Sequence, residues 1–436
     1  DGGLVWLNGR GDVVSNLAEE FTLRFGQQEF PVEKGKKLAQ WCWNRWRPPE
    51  KQVLVVIDDV NQDSVRSLMA ALPTENRFRV LVTTRLQRLD PKFEIVPLKV
   101  LSLDKALELL GKILGERDSR LTRESEQAEA LCQQLGYLPL GLELVGRYLL
   151  DDPDLSIAEV LEELQEKGVE AEAIDWEEED LQETAMTAQL GVRAAFELSW
   201  EKLSESAQQL GRLLAVFANE TVPAELLKAV TQELDWSAKA LREGRKELDK
   251  FSLVERSEEL AGGYNLHPLI WQYLQIKLAQ AEETEADRKA FVSVLIARAK
   301  EIEPNITVEE VGSLQFVIPH LEAVAEGYLS LVEDDDLIWA FLGIGLYYQG
   351  QGLYSLAEPW YKNCLQATRD RLGEDHPSVA SSLNNLAYLY QAQGRYEEAE
   401  PCYLQALEIC DRALGSNHPN TVKIRRNLEV MRDEKG

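Results

Sequence analysis

Basic charge is scarce in this chain. Lys and Arg number 47 against 75 Asp and Glu, a formal net charge of −28. That deficit argues against a role in coating nucleic acid, where clustered cations must face the phosphates. The five cysteines, Cys42, Cys132, Cys364, Cys402 and Cys410, include no pair spaced by two residues. Neither a zinc knuckle nor a dithiol redox motif is on offer, and a reducing cytoplasm is the expected location. No uninterrupted apolar run approaches bilayer length, and no basic leader with an apolar core opens the chain. A membrane partner is therefore not expected. The four histidines are scattered, and no His, Cys and carboxylate cluster offers a site for any metal but magnesium. Residue 1 is Asp rather than Met, so the expectation is a piece of a longer polypeptide.

What is present begins with VLVVIDDV, Val53 to Val60. A short β-branched run of this kind reads as a strand buried on both faces of a parallel sheet. Its direction delivers Asp58 and Asp59 to the carboxyl edge, where open α/β folds bind ligands. Paired carboxylates there often hold magnesium beside a nucleotide phosphate. A phosphate-cradling loop should lie upstream, with glycines, then Lys, then Ser or Thr. The nearest candidate, NGRGDVVSN from Asn8 to Asn16, has Gly9 and Gly11 but no Gly-Lys-Ser/Thr, and Asp12 would repel phosphate. KGKK at Lys34 has charge but no flanking strand.

Around this run, Leu4 to Leu7 reads as a strand and Val13 to Phe25 as a helix. Gly35 to Trp46 is a second helix whose three tryptophans suit core packing. A helix near Ser64 to Ala71 leads to RFRVLVTTR, a third strand ending in Thr83, Thr84 and Arg85, and FEIVPLKVL is expected to give a fourth. Strands alternating with helices predict part of a doubly wound parallel sheet. From Ser102 onward the spacing is helical, through LSLDKALELLGKIL to LGYLPLGLELVGRYL, and the acidic run Glu170 to Glu183 reads as a solvated linker. Between Met186 and Leu278, helices over Val192–Phe217 and Pro223–Lys250 precede a hairpin turning at Gly262-Gly263. That order fits a winged helix. Arg242, Arg245 and Lys246 are interleaved with Glu243 and Glu247, which favours packing over DNA reading.

The C-terminal part repeats itself. Gly352, Tyr354, Ala357, Pro359 and Tyr361 recur as Gly394, Tyr396, Ala399, Pro401 and Tyr403, and LGEDHP recurs as LGSNHP, all at a separation of 42. Two helices hinged at a glycine with such a period predict a stacked helical-hairpin solenoid. Pro377 and Pro419 suit helix starts. Ala387 and Ala399 let helices approach, and Leu383, Leu386, Tyr390, Tyr403 and Leu407 fill the space between them. Asn384, Asn385 and Asn427 are candidates to line a concave partner-binding face, with plain solvation of an outer helix face as the equal alternative.

The repeats resemble tetratricopeptide repeats of the longer kind found in kinesin light chains, most closely over Leu383 to Thr421. VLVVIDDV, RFRVLVTTR, LGYLPLGLELVG and YNLHPLI, in that order, are similar to the NB-ARC module of STAND-class signalling ATPases. The resemblance implies a mainly α protein with an N-terminal α/β part: a partial P-loop NTPase-type parallel sheet over residues 1–100 without its phosphate loop, and a helical domain over 101–184. A winged-helix-like domain over 185–280, a helical cap over 281–335 and tetratricopeptide repeats over 336–436 would follow. It implies that Asp58 holds Mg2+ through water and that Asp59 orients or activates the attacking water. Arg85 would sense the terminal phosphate, Pro139 would pack on adenine, and His267 would touch the β-phosphate of ADP. The aspartate usual after that histidine is replaced by Pro268 and Leu269.

ADP or ATP with Mg2+ is implied only if the phosphate loop is supplied, so the chain is at most part of a slow ATPase. A protein or peptide ligand on the solenoid and a homo-oligomer on activation are implied partners. Each residue also has a plain structural reading. Asp58 and Asp59 would cap a turn, Arg85 would sit in a surface ion pair, and Pro139 would separate two helices. His267 would follow a local habit, since it precedes a proline as His376 and His418 do. The rival function is a non-catalytic scaffold that holds a peptide or protein on the repeats.

Overall fold

Three strands, β1 (Leu4–Asn8), β2 (Val53–Val60) and β3 (Phe78–Thr84), form a parallel sheet in that order, with β2 in the middle. The computed structural model describes residues 3–26, 30, 35–47, 51–84, 86, 89–96, 98–115, 117–172, 183–281 and 284–435. These fall into two compact units, one of residues 1–94 with 295–436, the other of residues 95–294.

In the first unit, α1 (Val13–Phe25), α2 (Lys36–Arg45) and α3 (Val65–Ala71) pack on one face of the sheet. Val5, Leu7, Val53, Val55 and Ile57 meet Leu17, Phe21, Trp43 and Leu68 there in a dry core. Trp43 and Trp46 are fully buried, and the Trp43 indole donates to Ala71 O at 2.6 Å, so the tryptophan-rich helix serves packing as expected. The other sheet face differs from expectation. Leu4, Trp6, Leu54 and Leu81 are 49%, 53%, 43% and 51% exposed. The physical reason is register. Leu4 lies beside Leu54, and Val56 lies between Trp6 and Leu81, so their side chains share the face opposite α1–α3. The fourth strand is also absent among the described residues of 93–101. Pro97 interrupts the run and can donate no ladder hydrogen bond, and Ile95, Val96 and Leu98 stand in solvent.

The second unit is helical. It begins with α4 (Leu103–Leu114), α5 (Arg120–Arg123), α6 (Ser125–Gln134), α7 (Pro139–Asp151) and α8 (Ile157–Glu172). The middle of the expected acidic linker, 173–182, lies outside the described residues; its ends belong to α8 and to α9 (Glu183–Glu201). There follow α10 (Glu205–Val216), α11 (Ala224–Glu233), α12 (Ala238–Lys250), a hairpin of β4 (Glu255–Arg256) and β5 (Tyr264–Asn265), and α13 (Pro268–Gln280). Each helical span expected between Val192 and Lys250 is thus two helices. Ser204 and Ser237 restart the chain by accepting from the Ala207 and Ala240 amides, as serines at N-caps do. β4 and β5 pair antiparallel, Glu255 with Asn265 and Arg256 with Tyr264.

After α14 (Glu285–Lys300), α15 (Val308–Leu314) and α16 (Ile318–Gly327), the repeats run through α17 (Trp339–Gly350), α18 (Tyr354–Leu372), α19 (Pro377–Ala392), α20 (Tyr396–Leu414) and α21 (Pro419–Lys435). The period seen in sequence becomes repeated geometry. The Tyr361 hydroxyl donates to Gln349 and the Tyr403 hydroxyl to Gln391, both at 2.8 Å. Gly352 and Gly394 take φ of 74° and 69°, and Gly373 and Gly415 take 88° and 90°, a region that glycine enters without steric penalty. Ala387 and Ala399 are fully buried with Leu383, Leu386, Tyr390 and Tyr403. The first repeat also closes onto the sheet-bearing core, where Leu353 is buried and Tyr348 and Leu356 pack against it.

Candidate functional site

The carboxyl edge of the sheet gathers the ends of all three strands. β1 and β2 are in register up to Asn8 beside Asp58, whereas the β2–β3 pairing slips between Ile57 and Val60. The slip is made by Asp59, which takes a left-handed φ of 59°, a conformation Asp tolerates better than most residues. Thr83 ties both carboxylate residues to β3: its hydroxyl donates to Asp58 Oδ1 and accepts from the Asp59 amide at 2.8 Å. The Thr84 hydroxyl donates to Val60 O at 2.5 Å. Asp58 and Asp59 are therefore held together at one rim, while Arg85 lies outside the described residues.

The structure adds a residue that the sequence reading passed over. Arg10 forms an ion pair with Asp59, with Nε at 2.7 Å from Oδ2. Its signal was its place after β1, since a parallel neighbour ends at the same edge. The surrounding loop is spoken for. The Gly9 amide donates to Asp58 O at 2.5 Å, and the Arg10 amide to Asn8 Oδ1 at 2.8 Å. A Cβ on Gly9 would lie 2.5 Å from Asp58 O, so only glycine fits against β2. Asp12 caps α1 by accepting from the Val14 amide at 3.1 Å and the Ser15 hydroxyl at 2.9 Å.

The groups present suit one half of a nucleotide site. Asp58, with the Thr83 hydroxyl beside it, offers the hard oxygens that a water-bound magnesium ion prefers. Among the described residues no group of three His, Cys, Asp or Glu is placed to hold a metal by itself. The Gly9 and Arg10 amides, already engaged, supply no cradle for phosphates.

In the second unit, Pro139 is the first residue of α7 and is exposed, a position where its missing amide proton costs nothing. His267 is the N-cap of α13, its Nδ1 accepting from the Leu269 amide at 3.2 Å. His376 and His418, also followed by proline, cap α19 and α21 in the same way, accepting from Ser378 and Asn420 at 3.2 Å. The shared geometry is the local habit. It leaves the ring proton of a neutral His267 on Nε2.

In the repeats, Asn427 donates to Asn384 at 2.9 Å and Asn384 to Asn385 at 3.4 Å, so the three asparagines form one chain across α19 and α21. Asn384 is buried, while Asn385 and Asn427 are half-buried. No helix among the described residues is long and apolar enough to cross a membrane.

No curated protein matches the chain. The tetratricopeptide repeat model matches residues 337–378 and 379–420, so the geometric period and the family match coincide. Over residues 17–120, which include β2, β3 and the Asp58–Asp59 rim, the chain matches the NB-ARC domain.

Proposed function

We propose that the chain is part of a nucleotide-controlled signalling switch of the STAND type, in which the repeats bind a protein or peptide and bias an ADP-bound against an ATP-bound state. The observation that carries this reading is the rim itself: two successive carboxylates of a central parallel strand, cross-tied by Thr83, inside the stretch that matches the NB-ARC domain. In it Asp58 carries magnesium through water, Asp59 orients the attacking water, and Arg85 reads the terminal phosphate. Pro139 packs on the base, and the Nε2 proton of His267 meets the β-phosphate of ADP. The bound nucleotide would supply the phosphate charge that these side chains recognise. The five-part division at 100, 184, 280 and 335, a cytoplasmic setting and self-association on activation belong to the same reading. A partner on the solenoid shifts the equilibrium only if it binds one state better than the other.

The test is ADP and ATP binding by the full-length polypeptide, with Asp58→Asn, Arg85→Ala and His267→Ala compared with wild type. Losses of about tenfold or more per variant are expected from removing a charge-assisted contact. Unaltered affinity in all three would defeat the switch.

A specific observation favours the scaffold reading. Asp59 is already paired with Arg10, and His267 already caps a helix as two histidines of the repeats do. In that case only the repeats act, through the surface that includes Asn385 and Asn427, and peptide binding survives every substitution at the sheet rim.

A further inference from the structure

Within the second unit, α12 and the β4–β5 hairpin form a pocket of about 130 Å³ lined by the four cations Arg242, Arg245, Lys246 and Arg256 with Tyr264, and also by the two carboxylates Asp249 and Glu255. In sequence the basic residues of α12 look neutralised by Glu243 and Glu247. The helix separates them. Arg242, Arg245 and Lys246 fall at three- and four-residue spacing on one face. Glu247 turns to α10, accepting from the Ser204 amide at 2.8 Å and hydroxyl at 2.9 Å, and Glu243 pairs with Lys239 at 3.7 Å. The hairpin then adds a cation, because Arg256 lies directly across from Tyr264.

Two features set the pocket apart from ordinary surface. Among the described residues none of its four cations has a carboxylate partner, although carboxylates outnumber cations in this chain and most helices carry ion pairs. Clustered like charges repel one another, and an anion in their midst relieves that cost. In addition, Arg245 is incompletely satisfied. Its Nη1 donates to the Tyr264 hydroxyl, while its Nε is shielded from solvent and has no acceptor, the kind of orphan donor that folded proteins seldom retain.

We propose that this pocket binds the phosphoryl group of a small phosphorylated ligand. Three guanidinium groups and an ammonium match a dianion with three terminal oxygens, and the Tyr264 hydroxyl, accepting from Arg245, keeps its own proton to donate. The volume suits a phosphoryl group and the nearest part of its ester, below the range of pockets for drug-sized organic ligands. The chain's acidity repels a long polyanion more than it repels one such group. The site is separate from the nucleotide reading, which concerns Asp58, Arg85, Pro139 and His267.

Calorimetric titration of the whole chain with inorganic pyrophosphate at low ionic strength tests it. Wild type is expected to bind one equivalent saturably. Arg245→Gln, and separately the exposed pair Lys246→Gln with Arg256→Gln, should weaken binding about tenfold or more, while Arg10→Gln at the sheet rim keeps the wild-type affinity. Circular dichroism identifies any variant that has lost its fold, and the surface pair decides if Arg245→Gln does. Three results would overturn the proposal: no saturable binding, undiminished binding by the surface pair, or loss only in Arg10→Gln. Binding of a duplex oligonucleotide that pyrophosphate fails to displace would overturn it in favour of a nucleic-acid backbone.

Discussion

Tyr347, on the first helix of the repeats, donates its hydroxyl hydrogen bond to Glu19 of α1, joining residues 328 positions apart in the chain. Tyr347 is fully buried. Burial pushes the Glu19 carboxyl above its ordinary range, the Tyr347 hydroxyl pulls it back in part, and Glu20 adds to the rise. The contact ties the sheet-bearing core to the solenoid within one compact unit.

A pH dependence follows from it. A carboxyl whose pKa is higher folded than unfolded contributes stability below its unfolded value, near 4.3, and that contribution is lost as pH rises through the folded value. The difference in denaturation midpoint between Glu19→Gln and wild type should therefore grow in favour of the variant as pH rises from the ordinary glutamate range toward neutrality. A constant difference would refute the account. Tyr347→Phe leaves Glu19 without its donor and should cost about 1–3 kcal/mol at neutral pH.

Gly345 holds the position that Ala387 holds one repeat later, and a Cβ there would lie 2.9 Å from the Tyr361 ring. Gly345→Ala is accordingly expected to destabilise by about 1–3 kcal/mol, against the usual gain when alanine replaces glycine within a helix. Thermal unfolding of the variant checks the sign. An increase in midpoint would mean that Tyr361 yields.

Arg120 is buried and serves as a hub of the second unit. It donates to Asp118 at 2.6 Å and to the carbonyls of Leu149, Asp152 and Leu155 at 3.1, 3.2 and 2.8 Å. Arg120→Met strands these acceptors and should cost about 3–5 kcal/mol. The guanidinium holds Asp118 below the usual carboxylate range. Its contribution is thus present above the unfolded value and lost as pH falls through the lowered one. Calorimetry of the two proteins at neutral and acid pH should show their midpoints converging on acidification.

Much of this architecture could be read from periodicity. Val13–Phe25 and Val53–Val60 have the bounds their apolar spacing predicts, and the 42-residue period carried the repeats down to individual hydrogen bonds. What failed depended on neighbours in space. FEIVPLKVL has the apolar content of a strand but contains Pro97, and β2 has the composition of a doubly covered strand while, among the described residues, the hydrophobic core with α1–α3 lies on one of its faces and Leu54 on the other is exposed. Arg10 and the basic face of α12 were hidden by linear proximity, since Asp12, Glu243 and Glu247 look like their neutralising partners until each is seen to bond elsewhere.

The matching dihedrals of Gly373 and Gly415, each followed three residues later by the histidine of a His-Pro helix start, give successive repeats the same backbone joint. Deleting or duplicating the segment from Glu374 to Gly415 would then restore the same glycine seam and change the length of the solenoid by one whole repeat.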